Sequence, residues 1–278
     1  MGLKFTKMHG LGNDFMVIDG VNQNLNLTSE KITQLADRHT GIGFDQCLIV
    51  EESDTKNIDF LYRILNADGS EVGQCGNGAR CLARFIRHRK LSIKKTVTVA
   101  TSTSVMDLTI NDNDSVSICL PAPDFTPRAI PMLNTQQDFY QVAFQDQSIP
   151  FNALSVGNPH AVIKVDNIED APVNELGHFL CHHPMFPQQA NIGFMQLLDD
   201  NTMKLRVFER GAGETKACGS GAIAAAISAI AFHGASTPMT VSLPGGKLTI
   251  HWQKPSGKIT LTGAATFVYE GELCESSF

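Results

Sequence analysis

The chain is short of most features that announce a membrane, nucleic-acid or metal-binding role. Its longest apolar run, "AIAAAISAIAF" at 222–232, falls well below the roughly 20 residues that cross a bilayer, so it reads as a core helix. Positive charge is not in excess: Lys and Arg total 22 against 28 Asp and Glu, a net charge of -6, which argues against a polyanionic partner. The opening "MGLKFTK" carries no apolar signal region. It meets the loose myristoylation pattern through Gly2 and Thr6, a chance match, because "LKF" begins a strand. The seven cysteines contain no CxxC pair. The nearest two, Cys75 and Cys81, have a spacing that fits no common zinc pattern, and no regular disulfide framework emerges. The glycine-rich turns lack both the Walker lysine and hydroxyl and the GxGxxG spacing. A cytoplasmic protein is expected, with no metal, no membrane and no nucleic-acid partner.

What the chain does have is a repeat. "EVGQCGNGA" at 71–79 returns as "ETKACGSGA" at 214–222. In the same alignment Arg63 meets Arg206 and Asn66 meets Glu209. Upstream, Asn13 of "GND" answers Asn158 of "GNP", and "IGFDQCL" (42–48) answers "IGFMQLL" (192–198). Three blocks in the same order in each half indicate a duplicated domain. Between the halves, "LPAPDFTPRAIP" (120–131) holds four prolines, the mark of an extended connection. The halves are therefore 1–120 and 121–264.

Each half reads as a sheet with two helices, an α+β arrangement. Thr28 or Ser29 caps a helix through "EKITQLADRH", which Gly41 ends. A second helix runs from Gly76 through "GARCLARFIRHRK". In the second half, "APVNELGHFLCHH" and the alanine-rich run are helices. "FMVIDG", "CLIVEE", "DFLYRIL", "TVTVAT", "VMDLTI", "SVSICL", "HAVIKV", "FMQLL", "KLRVF", "TVSLP", "KLTIHW" and "ITLTG" have strand composition. The stretch 132–150 gives no signal. A helix apolar nearly all round must be buried on every side, and a sheet wrapped around it satisfies that need.

A cysteine at a helix N-terminus faces the positive end of the macrodipole and unpaired N–H groups. Its pKa should fall below the free value of about 8.5. The neighbouring glycines let those N–H groups approach a carboxylate. Duplicated domains often pack about a pseudo-twofold axis, which would set two thiols on opposite sides of one carboxylate. Inverting a carbon stereocentre requires that pairing, with a base on one face and an acid on the other. A two-base racemase or epimerase follows. A thiol redox carrier, a non-catalytic amino-acid binding protein and a proline racemase-like enzyme remain alternatives.

"KMHGLGNDFMVID", "LNADGSEVGQCGNGAR", "SVGNPH", "ANIGFMQ", "FERGAGETKACGSGA" and "LPGG" together resemble diaminopimelate epimerase, over essentially the whole chain and in order. The resemblance implies a cofactor-independent enzyme interconverting L,L- and meso-diaminopimelate on the route to lysine and peptidoglycan. It implies two similar domains, each a mixed sheet curled around a central helix, with a C-terminal strand (265–278) returning to the first. It further implies a homodimer with Tyr269 at the interface. Carried over by position, Cys75 and Cys218 are the catalytic thiols, and His160 and Glu209 support them. Asn13, Gln46, Asn66, Asn158, Asn191, Glu209 and Arg210 contact substrate, and Gly76, Asn77, Gly219 and Ser220 form the backbone cradle.

Plainer readings attach to the other candidates. Cys47, Cys81, Cys119, Cys181 and Cys274 have no repeat partner and read as ordinary small side chains. His160 could be a turn histidine, and Asn13, Asn158 and Asn191 lie next to or near glycine in possible turns. Arg80, Arg84 and Arg87 read as a solvated helix face.

Overall fold

The computed structural model describes residues 2–253 and 257–274. The chain divides into two compact units, 1–119 with 263–278 and 120–262.

The first unit opens with antiparallel β1 (Lys4–Gly10) and β2 (Asn13–Asp19). Leu11 and Gly12 join them at positive φ, 57° and 86°, as a two-residue hairpin turn requires. Helix α1 (Ser29–Ala36) is capped by Thr28, whose hydroxyl accepts from the Lys31 N–H at 3.3 Å. It ends earlier than the sequence suggests. The Asp37 carboxylate accepts from the N–H groups of His39 and Thr40, at 2.9 and 2.6 Å, and this side-chain turn replaces the next turn of helix. β3 (Gln46–Glu52) runs parallel to β2, β4 (Phe60–Asn66) antiparallel to β3, and the short β5 (Glu71–Val72) folds back on β4. After α2 (Gly76–His88), β6 (Thr96–Ala100) joins β4 in parallel, followed by β7 (Val105–Ile110) and β8 (Val116–Leu120).

The second unit repeats the plan. β9 (Tyr140–Phe144) and β10 (Gln147–Ser155) form a hairpin, and β11 (Pro159–Lys164) pairs with β10. Helix α3 (Val173–Cys181) leads to β12 (Asn191–Leu197), parallel to β11, and then to β13 (Thr202–Glu209) and the short β14 (Gly213–Thr215). α4 (Gly219–Phe232) precedes β15 (Met239–Leu243), β16 (Gly246–Trp252) and β17 (Ile259–Gly263). The last strand, β18 (Thr266–Glu272), pairs with β1 of the first unit, Lys4 opposite Glu272. Residues 275–278 of the expected C-terminal strand lie outside the described residues.

The duplication extends to the pairing register. Phe15 stands opposite Gln46 as His160 stands opposite Asn191, and Ile64 opposite Val72 as Val207 opposite Thr215. Even an ion pair repeats, Arg63 with Glu71 and Arg206 with Glu214. This register makes Asn191 the counterpart of Gln46, so the "IGF" likeness in the sequence is out of step with the strands. Ile42–Phe44 lie in the loop before β3, whereas Ile192–Phe194 lie inside β12.

Each unit is a mixed sheet curled around its own helix, α2 against β1, β2, β3 and β7, and α4 against β10, β11, β12, β13, β15 and β16. Residues 221–230 of α4 are all buried, which suits alanine and isoleucine, with no long polar side chain to accommodate. β16 shows the complementary pattern: Leu248, Ile250 and Trp252 are buried while Lys247, Thr249 and His251 face outward. Within 132–150, where the sequence gives no signal, the β9–β10 hairpin turns at Gln145 and Asp146, both at positive φ. It buries Tyr140, Val142 and Phe151. All seven cysteines are free. Among the described residues no helix is long and apolar enough to cross a membrane, and no side-chain group could hold a metal ion.

Candidate active site

Both central helices begin with a thiol. Cys75 is the N-cap of α2, in extended conformation, and its Sγ accepts from the Gly78 N–H at 3.3 Å. Cys218 caps α4 in the same way, Sγ accepting from the Gly221 N–H at 3.3 Å. The cap position normally holds a hydroxyl or carboxylate oxygen, so sulfur here lies where the helix favours negative charge. The glycines following each thiol have separate reasons. A Cβ at Gly78 would stand 2.4 Å from the Tyr62 hydroxyl. At Gly76 a Cβ would meet nothing within 4 Å, and at Gly219 only Leu261 at 3.7 Å. The first-turn N–H groups are thus left open to an anion.

Around Cys75, Asn13 presents its side-chain oxygen 3.8 Å from the sulfur. The amide is oriented from behind: its NH2 donates to Asp45 at 2.8 Å, and Asp45 is held by Arg38 at 2.7 Å. The Asn77 amide also donates to the Asn13 oxygen, at 3.4 Å, and Tyr62 donates to the Cys75 carbonyl at 3.3 Å. On the neighbouring strands Gln46 donates to Asn66 at 3.0 Å. The Gln46 side-chain oxygen is buried with no partner among the described residues.

Around Cys218 the equivalents of these residues are rearranged. Asn158, counterpart of Asn13, donates to Ser220 at 3.3 Å, and Ser220 Oγ lies 3.6 Å from the Cys218 sulfur. His160 Nε2 meets the Asn158 side-chain oxygen at 3.0 Å. Burial first, and the nearby Arg210 second, hold the His160 pKa down at about 3, so the ring is neutral and donates to Asn158. Asn191 donates to the Pro159 carbonyl and accepts from the Arg210 N–H. The Arg210 side chain itself reaches the Gln188 carbonyl at 2.9 Å. Glu209, counterpart of Asn66, lies against the thiol: Cys218 Sγ donates to it at 3.0 Å, and Thr215 holds the other carboxylate oxygen.

That contact reverses one expectation. The Cys218 thiol pKa is pushed up, not down, because burial disfavours the thiolate and the Glu209 carboxylate repels it. The helix N-terminus is outweighed. A second reading also changes: Arg80 is fully buried rather than solvated, and Arg84 is held by the Ala265 carbonyl at 2.6 Å.

The structure therefore groups Asn13, Gly76 and Asn77 with Cys75, and has Gln46 and Asn66 paired on the adjoining strands of the same unit. In the second unit it groups Asn158, Glu209, Gly219 and Ser220 with Cys218, and reaches His160, Asn191 and Arg210 through their hydrogen bonds. Tyr269 belongs to neither group; it is half exposed on β18, its ring edge-on to Phe5. Asp45, Tyr62, Arg80 and Thr215 join these groups without any signal in the repeat, since none has a like residue in the other copy.

A sequence profile described as Diaminopimelate epimerase matches residues 5–120 and 152–268. The diaminopimelate epimerase of Legionella pneumophila strain Philadelphia 1 is 57% identical over 275 residues, covering 98% of this chain and 99% of that one. Among solved structures, a phenazine biosynthesis protein of the PhzF family from Bacillus anthracis superposes with a TM-score of 0.68 at 18% identity, over 99% of both chains. A hydroxyproline epimerase from Agrobacterium vitis gives 0.67 at 14% identity, over 98% of this chain and 92% of that one. These two share the fold.

Proposed function

Since the chain belongs to the diaminopimelate epimerase family and is an enzyme of that activity, we propose that it converts L,L-diaminopimelate to the meso form with Cys75 and Cys218 as paired base and acid and no cofactor. The observation that carries this reading is the repeated cap: one thiol per copy, each at a helix N-terminus beside an open first turn.

Cys218 rests as a thiol because its thiolate would face Glu209. With Cys218 held protonated, Cys75 is the thiol of the pair that acts as the resting base. Its thiolate takes the α-proton, and the released electron pair spreads into the adjacent carboxylate. The N–H groups following the cysteines, at Gly76 and Asn77 and at Gly219 and Ser220, stabilise that charge. Cys218 gives its proton to the opposite face of the same carbon. Its new thiolate, repelled by Glu209, takes a proton from solvent, and Cys75 loses one. The reverse reaction exchanges the roles. Gln46, whose buried oxygen has no partner among the described residues, suits the ammonium group. Asn66, Asn158, Asn191 and Arg210 would read the remaining polar groups.

The same reading places the enzyme in the cytoplasm, on the route to lysine and peptidoglycan precursors. It makes the chain a homodimer through the outer face of β18, where Val268 and Tyr269 are exposed. The test is epimerisation in heavy water. Early product should carry deuterium at the inverted carbon while unreacted substrate carries little. Cys75→Ala and Cys218→Ala should each abolish inversion. Full activity in either variant, or equal early labelling of substrate and product, would rule out the two-thiol assignment.

A further inference from the structure

The most deeply buried charge in the first unit has no role in the chemistry described so far. Among the described residues Arg80 is the largest fully buried side chain, at 0% exposure. Among the described residues no carboxylate lies within ion-pairing distance of it. Its guanidinium donates instead to three neutral oxygens: the Ala264 carbonyl at 3.1 Å, the Gly76 carbonyl at 3.3 Å and the Asn77 side chain at 2.9 Å. A helical side chain leans toward the N-terminus of its helix. Arg80, in the second turn of α2, therefore lays its charge over the first turn, where Cys75 is the cap. The wall is close: a Cβ on Gly10 would stand 3.3 Å from the guanidinium.

A cation at this end of a helix opposes the macrodipole, and burying it without a counter-charge is costly. Both penalties are relieved by an anion at the cap. The other titratable groups nearby do not supply one. Burial drives the Tyr62 hydroxyl on β4 well above its ordinary pKa and the Cys81 thiol up to about 12, so both stay neutral at working pH. Lys7 on β1 is paired with Asp14 on β2, which also holds Arg38. Glu51 on β3 is engaged with Arg63, and Asp107 on β7 is exposed and accepts from Thr98. In the second copy the position equivalent to Arg80 is Ile223, and the charge beside the thiol is the anion Glu209.

We propose that Arg80 is a positioning residue for Cys75: its buried guanidinium fixes the first turn of α2 through Gly76 and Asn77 and holds the Cys75 sulfur as an anion. The inference deepens the reading of Cys75 as the resting base, and its test does not depend on turnover. The rate of iodoacetamide alkylation of Cys75, followed by peptide mass spectrometry across pH in the full-length protein, reports its thiolate directly. Arg80→Met should move the midpoint up by at least about one pH unit, making alkylation at neutral pH about tenfold slower. The Cys218 profile, the internal reference for folding, should stay in place. Arg80→Lys should remain within about threefold of the parent. A folded Arg80→Met variant with an unmoved Cys75 midpoint overturns the proposal, as does an Arg80→Lys variant as slow as Arg80→Met. If Arg80→Met fails to fold, the parent protein decides: a Cys75 midpoint below that of a free thiol, about 8.5, supports the proposal, and one at or above it overturns it. Loss of the epimerase assignment would leave these titrations standing.

Discussion

Replacing Glu209 with Gln isolates the carboxylate that separates the two half-sites. The amide is nearly isosteric: its oxygen can accept from the Cys218 thiol while its NH2 donates to the Thr215 hydroxyl, so the geometry should survive while the charge goes. In the parent protein a Cys218 thiolate would face a carboxylate oxygen 3.0 Å away. Two unit charges at that separation repel by roughly 5.5 kcal/mol at an effective dielectric of about 20, and by roughly 1.4 kcal/mol with the full screening of water. Glu209 is half-buried, so the value falls between these limits. The Cys218 pKa should therefore drop by roughly one to four units, although burial continues to hold it up. Difference thiolate absorbance between Glu209→Gln and the Glu209→Gln, Cys218→Ala double variant gives the midpoint. Catalysis supplies a second readout. The alkaline limb of the kcat/KM profile, set by the acid that must stay protonated, should shift to lower pH by a similar amount. A Cys218 midpoint that stays in place or rises would refute the reasoning.

Two further outcomes follow from the same geometry. His160 is buried and neutral with its pKa held at about 3, so the unfolded chain binds a proton there that the folded chain refuses. Stability should fall on acidification from about 6.5 toward about 3, this residue contributing a slope of roughly 1.4 kcal/mol per pH unit. His160→Gln should flatten that part of the curve in urea titrations at successive pH values, and an unchanged slope would count against a buried neutral imidazole. Gly78→Ala should destabilise by about 1–3 kcal/mol through the clash with the Tyr62 hydroxyl, reduced by up to about 1 kcal/mol of helix propensity. Adding Tyr62→Phe should recover most of the loss, whereas simple additivity in denaturant midpoints would show that the clash is not the cause.

Much of this could be read from the chain because it is encoded locally. A cysteine followed by Gly-x-Gly-Ala marks a capped helix by itself, and both copies carry it. Strands with strong alternation, such as "KLTIHW", declare their buried face. What the sequence concealed depends on residues brought together from afar. The β9–β10 hairpin turns at Gln145-Asp146 rather than at glycine, and Pro150 interrupts its second strand, so neither signal stands out. Arg80 reads as solvated by its type; its burial is decided by Gly10 and by a carbonyl at Ala264, nearly two hundred residues away. The titration of Cys218 runs against the sequence expectation because the helix terminus is local and visible, whereas Glu209 arrives through the turn between β13 and β14. α1 stops early because one aspartate prefers its own backbone to another helical turn.

The pairing of β18 with β1 has a consequence for how the chain is made. Ribosomes deliver β1 first and β18 almost last, after every residue of the second unit has emerged. The second unit can therefore finish folding while the first, although older, still waits for its outermost strand. During that interval β1 offers an unpaired edge to other chains, and the partners it will later meet at Phe267 and Tyr269 do not yet exist. A premature stop anywhere within β18 would leave the thiol of the second unit in a complete fold and strip the border from the unit that carries the other.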